Sequence, residues 1–137
     1  MQPPAGPVLD ASALLAYLRD EPGGSIVDAA LVAGAVINVV NYAEVLARLA
    51  ANGQDPASAD RGMRDSGLTG DLLQVVPVTQ DDAIVIARLR VSTRSLGLSL
   101  GDRCCLATGL RMGRPILTSD RAWAQLTIGA SIQLIRP

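Results

Sequence analysis

The sequence has no histidine. That excludes Ser–His–Asp and Cys–His nucleophilic sites and His-ligated zinc within the chain. Any acid–base or metal chemistry must rest on carboxylates, of which there are 13. Lysine is missing too: all 12 basic residues are arginine, a pattern that reads as coding bias because nothing in their spacing asks for it. The net charge of −1 argues against tight, non-specific binding to a nucleic-acid backbone. It leaves room for a local basic patch or a metal-mediated phosphate contact. Phenylalanine is absent and aromatics are 2%, so the core must be Leu, Val, Ile and Ala. The only cysteines, Cys104 and Cys105, are adjacent. Neighbours in a helix point in different directions and do not bridge. With no CxxC spacing, they read as small buried or half-buried side chains in a reducing cytosol.

Long apolar runs are also missing. The longest, AALVAGAVINVV, is too short to span a bilayer, and MQPPAGPVLD lacks the basic start and apolar core of a signal peptide. A soluble cytoplasmic protein without membrane attachment is expected. The nucleotide fingerprints GxGxxG and GxxxxGK[ST] are absent. With 137 residues, 49% hydrophobic and 18% charged, the chain suits one globular domain spanning 1–137.

What is present is an alternation. PVLD (7–10), AVINVV (35–40), LLQVVPV (72–78), PILT (115–118) and ASIQLIRP (130–137) read as short apolar strands. Between them lie helical patterns: SALLAYLRD, SIVDAALVAG, NYAEVLARLAANG, a polar surface helix in DPASADRGMRDSG, TQDDAIVIARLRVSTRSLG, LSLGDRCCLATGL and a short DRAWAQL. Pro77 points to a sheet edge or strand end. Five buried strands separated by helices predict an α/β fold, a three-layer α/β/α with a mostly parallel five-stranded sheet.

Four of the acids do not look random. Asp10 ends the first strand, Glu44 lies a helical turn beyond the second, and Asp120 follows the fourth. Asp102 opens the helix LSLGDRCCLATGL, on the arc that carries Cys105, Leu106 and Gly109, with Arg111 opposite. In a parallel sheet such strand-to-helix junctions share the carboxyl edge, where these folds place their sites. Each acid also has a local reading. Asp10 and Asp120 suit N-caps, Asn41 with Glu44 fits a capping pattern, Glu44 could pair with Arg48, and Ser99 with Asp102 fits a capping box. But Ser12, Asn41 and Ser99 already supply competent caps, so acids beside them at successive junctions call for a second cause. Divalent metal is that cause: Mg²⁺ and Mn²⁺ prefer oxygen ligands, and with them clustered carboxylates can activate water against a phosphodiester. Ser12 and Ser119 could add hydroxyl contacts to a ligand water or a phosphate. An acidic pocket in a chain without lysine would also favour something basic from outside when metal is absent.

VLDASALLAYL, NYAEVLARL, LSLGDRCCLATGL and PILTSDRAWAQL, in that order, resemble the PIN-domain ribonucleases, and in particular the VapC-type toxins of bacterial toxin–antitoxin pairs. The resemblance runs nearly end to end, apart from a longer leader, MQPPAGP. It implies that Asp10, Glu44, Asp102 and Asp120 are catalytic metal-site acids, Asp10, Asp102 and Asp120 the more direct ligands and Glu44 acting directly or through water. Ser12, and Thr118 or Ser119, correspond to its supporting polar residues. It implies a five-stranded parallel sheet, cleavage of RNA (tRNA, rRNA or mRNA) with Mg²⁺ or Mn²⁺, a VapB-like antitoxin that reaches into the acidic pocket, and a homodimer. Arg103 and Arg121, directly after two of the acids, are candidate RNA contacts. A haloacid-dehalogenase-type phosphatase also begins with a strand-end Asp, but it wants Asp where Ser12 stands and a later Lys that this chain lacks. A catalytically silent PIN-like binding or assembly module is the remaining alternative.

Overall fold

The computed structural model describes residues 6–137, so the first five residues of the leader lie outside the described residues. The elements are β1 (Val8–Leu9), α1 (Ala11–Leu18), α2 (Gly24–Val32), β2 (Ala35–Asn38), α3 (Val39–Ala51), α4 (Pro56–Asp65), β3 (Leu73–Val76), α5 (Gln80–Ser92), α6 (Leu100–Met112), β4 (Ile116–Thr118) and β5 (Ile132–Leu134). Short 3-10 turns cover Arg94–Leu96 and Arg121–Gln125. The sheet has five parallel strands in the order β3-β2-β1-β4-β5. β3 is an edge strand with Pro77 just beyond it.

Strand alternation sorts the core into layers, since successive side chains point to opposite faces. Leu9, Ala35, Ile37 and Leu117 pack with α1, α2 and α3 in one cluster. Val8, Val36 and Ile116 face the other way, onto Leu89, Cys105, Leu106 and Trp123. The aliphatic core expected of a chain without Phe is what fills the interior, with Trp123 fully buried at 0% exposure. Gly109 is required by closeness: a Cβ there would lie 2.4 Å from the Ile116 side chain, so α6 could not press against β4.

Two boundaries differ from the sequence reading in ways that matter for the site. Val39 and Val40 belong to α3 and not to β2, because the buried Asn38 caps the helix by accepting from the Asn41 N–H. Asn41 is therefore no cap. Similarly α1 begins at Ala11, capped by Asp10 itself, so Ser12 is freed from that task. TQDDAIVIARLRVSTRSLG does not stay α-helical throughout; α5 stops at Ser92 and a 3-10 turn follows. Both capping boxes, Thr79–Asp82 on α5 and Ser99–Asp102 on α6, form as expected. No helix among the described residues is long and apolar enough to cross a membrane.

Candidate active site

The strand order dictates where a site can be. From β1 the chain moves outward to β2 and β3, then returns to the other side of β1 to lay down β4 and β5. The direction reverses between β1 and β4, and the crevice at the carboxyl ends of such a pair is where open parallel sheets bind ligands. Asp10 follows β1 and Asp120 follows β4, one on each side of that crevice. A cleft of about 730 Å³ opens there, and its walls include Asp10, Ser12, Glu44, Asp102, Ser119 and Asp120.

Asp10 is the most buried of the four acids, at 6% exposure. Its Oδ1 accepts from the Ala13 N–H at 2.8 Å, which caps α1, and from the Ser12 hydroxyl at 2.7 Å. Its Oδ2 accepts from the hydroxyl of Thr118 on β4. Both hydroxyls are tied onward, Ser12 accepting from the Ser119 N–H at 3.0 Å and Thr118 from the Asp120 N–H at 3.0 Å. Two hydroxyl bridges thus fix Asp10 to the segment that carries Asp120. Thr118 is fully buried beneath the cleft. Burial pushes the Asp10 carboxyl above its ordinary value, the hydrogen bonds from Thr118, Ser12 and Ala13 oppose this, and the nearby charge of Asp102 adds to the rise.

The other three acids share one feature. Asp102 Oδ2 closes the capping box by accepting from the Ser99 N–H at 3.0 Å. Asp120 Oδ1 accepts from the Ala122 N–H at 3.0 Å, and Glu44 Oε1 from the Asn41 amide at 2.7 Å. In each case the second carboxylate oxygen has no hydrogen-bond partner among the described residues. Asp102 therefore caps α6 with one oxygen and presents an uncommitted one in the cleft wall. Among the described residues no group of three or more acids is close enough to hold an ion unaided. The donor set, all oxygen and partly uncommitted, fits a hard cation that keeps several waters and takes one or two carboxylates directly, as Mg²⁺ does.

The two candidate arginines do not line the cleft, and three other arginines do. Arg103 is buried and its Nη1 donates to the Ile86 carbonyl of α5 at 2.9 Å, which holds it away from the cleft wall. Successive residues on a helix diverge by about 100°, so the neighbour of an inward acid need not share its face. Arg121 is exposed and lies outside the cleft wall. Arg19, Arg48 and Arg136 do line the cleft, together with Glu21. A chain without lysine thus still brings cations of its own to the cleft, as arginines. Arg48 does not pair with Glu44; among the described residues the ion pairs are Arg64–Asp60, Arg111–Asp82 and Arg136–Glu21. The i,i+4 spacing of Arg48 from Glu44 was the one local signal that could have placed it here. Cys104 and Cys105 are free and buried, and burial pushes both thiols up.

A five-stranded parallel sheet with an acid-lined cleft at its switch point defines the class: an α/β protein of the open parallel-sheet kind. The family follows from the sequence: a PIN domain model matches residues 8–128, and the chain belongs to that family. No curated protein matches it. Among solved structures the chain is similar to VapBC2 from Rickettsia felis bound to a DNA fragment from their promoter, with a TM-score of 0.72, 10% identity and coverage of 93% of this chain and 96% of that one. It is similar to FitAcB from Neisseria gonorrhoeae, with a TM-score of 0.70, 18% identity and coverage of 91% and 94%. VapBC-5 from Mycobacterium tuberculosis, a member of the VapBC family of toxin–antitoxin systems, aligns at a TM-score of 0.58 and 23% identity, covering 98% and 100%. At these identities the likeness is one of fold.

Proposed function

We propose that this protein is a VapC-like toxin, a metal-dependent endoribonuclease formed by one domain over residues 1–137 and acting in the cytoplasm. The observation that carries the reading is the set of uncommitted carboxylate oxygens on Asp102, Asp120 and Glu44 around the buried Asp10, at the switch point of a PIN-family sheet. Asp10, Asp102 and Asp120 would hold Mg²⁺ or Mn²⁺, one or two of them directly and the rest through its waters, with Glu44 joining directly or through a water. The bound ion would supply charge for the phosphate and lower the pKa of a water that attacks it.

The chain's own groups do the rest. Thr118 and Ser12 hold Asp10 in one rotamer and favour its ionised form, which a ligand needs. Ser119 and the cleft arginines Arg19, Arg48 and Arg136 offer donors to the phosphates of an RNA strand, and Arg121 lies outside for a flanking nucleotide. The substrate is a tRNA, rRNA or mRNA. A VapB-like antitoxin would block the same cleft, and the toxin would act as a homodimer.

Purified, partner-free protein should cut cellular RNA with Mg²⁺ or Mn²⁺, and EDTA or Asp10→Asn should abolish cutting. Sequencing of RNA ends after brief induction should show one or a few dominant sites. No cleavage of any cellular RNA by the metal-supplied protein would turn the reading to a binding or assembly module. Where an antitoxin-sized reading frame adjoins the gene, co-expression with its product should yield a complex without RNase activity; failure to copurify would sink the toxin–antitoxin part alone.

A further inference from the structure

Glu44 is exposed on α3, and an exposed glutamate ordinarily samples many rotamers. Here it is held. The Asn41 side chain, 1% exposed, uses both of its N–H donors: one to Glu44 Oε1 at 2.7 Å, the other to the Gly101 carbonyl at 2.9 Å. Its own Oδ1 accepts from Asn38 Nδ2 at 2.6 Å, so the amide is fully committed and cannot turn. Gly101 belongs to the first turn of α6, next to Asp102. One buried amide therefore ties the helix bearing Glu44 to the helix bearing Asp102.

Gly101 itself has no backbone reason to be glycine, since its φ is not in the left-handed region. Its reason is room. A Cβ at this position would lie 2.6 Å from both Glu44 carboxylate oxygens. The carboxylate lies where the side chain of residue 101 would be, an approach that only glycine permits.

We propose that Asn41 and Gly101 form a seat for the Glu44 carboxylate and are positioning residues of the metal site, setting where Glu44 stands relative to Asp102. This rests on the nuclease reading above. The two can be separated, because Gly101→Ala displaces only the flexible end of Glu44 while replacing a poor helix former with a good one.

The experiment is a Mn²⁺ titration by calorimetry, with metal-free melts and single-turnover RNA cleavage, on the full chain. It compares the wild type, Gly101→Ala, Asn41→Asp, Glu44→Gln and the Gly101→Ala/Glu44→Gln double variant. Gly101→Ala should melt at or above the wild type without metal, yet lose about tenfold or more in Mn²⁺ affinity, cleavage rate or both, the scale of losing a group that orients a ligand. The double variant should lose no more than Glu44→Gln alone, because a seat matters only when its occupant is there. Asn41→Asp puts an acceptor against a carboxylate and a carbonyl, so it should lower both melting temperature and metal affinity. A purely structural amide would lower only the first. Gly101→Ala with wild-type affinity and cleavage, or losses that add in full to those of Glu44→Gln, would overturn the seat and leave the nuclease standing. A wild type that neither binds Mn²⁺ nor cuts RNA would overturn both.

Discussion

Two helix starts in this protein carry the same local motif and meet different fates. On α5, Thr79 accepts from the Asp82 N–H and Asp82 Oδ2 accepts from the Thr79 N–H. On α6, Ser99 and Asp102 do the same. The difference is the second carboxylate oxygen. Asp82 Oδ1 accepts from Arg111 Nε at 2.9 Å, and Asp82 is 1% exposed. Asp102 Oδ1 has no such partner among the described residues, and Asp102 stands in the cleft wall. An acid that is answered becomes part of the scaffold; an acid left unanswered beside other acids is available for a cation. The capping box does not distinguish them. Arg111, on the opposite side of α6 from Asp102, does.

The sharpest way to break this contrast is Asp102→Asn. Asparagine keeps an acceptor for the Ser99 N–H, so the loss of charge at the helix start should cost under about 1 kcal/mol. Cleavage should fall at least about a hundredfold, beyond the range typical of a merely orienting group. Millimolar Mn²⁺ should raise the melting temperature of the wild type, because metal binds only the folded site. The variant should lose most of that rise. Equal stabilisation by metal in both proteins would return Asp102 to a capping role alone.

Next in size is Arg111→Ala, which leaves the buried Asp82 without its cation. It should cost about 2 kcal/mol in urea unfolding, toward the low end for a hydrogen bond to a charged group because the arginine is itself partly exposed. Metal-dependent cleavage should be unchanged. A large loss of cleavage at wild-type stability would place the α5–α6 lock in the mechanism.

Thr79→Ala and Ser99→Ala then test whether the two motifs are locally equivalent. Each removes one acceptor from one helix start, and each should cost about 1 kcal/mol by the same unfolding measurement. A difference much larger than the error would mean that the surroundings, not the box, set the strength of the cap.

The smallest effect is in pH. Burial pushes the Asp82 carboxyl up, but the Thr79 N–H and Arg111 outweigh it and hold the group below its ordinary value. Its ionised form therefore stabilises the fold fully above the unfolded value of 3.8, and the contribution is lost as pH falls through the lower folded value. Asp10 runs the other way. Its raised carboxyl costs stability once ionised, and that cost vanishes below the unfolded value of 3.8. Carboxyl NMR titration of the metal-free protein should place Asp10 above and Asp82 below the usual range. The same order for both would contradict the contrast.

The sequence by itself determined much of this protein. Short apolar runs of four to eight residues between helical periods are enough to specify parallel strands, and these put Asp10 and Asp120 at strand ends. Thr79–Asp82 and Ser99–Asp102 were legible because a capping box is complete within four residues. The missing histidine committed any chemistry to carboxylates. What lay beyond the sequence was every decision made between distant segments. Asn41 looked like a cap because its spacing to Glu44 suits one; only the capping of α3 by Asn38, and the arrival of Gly101 from sixty residues away, gave its amide another task. Arg103 looked like a neighbour of the site until α5 offered it the Ile86 carbonyl, while Arg48 follows Glu44 by one helical turn and only Arg19 and Arg136 reached the cleft through packing alone. Hydrogen bonds between near neighbours are fixed by local geometry and can be read from spacing. Which oxygen remains uncommitted depends on what the fold brings against it: Arg111 reaches Asp82 and leaves Asp102 open.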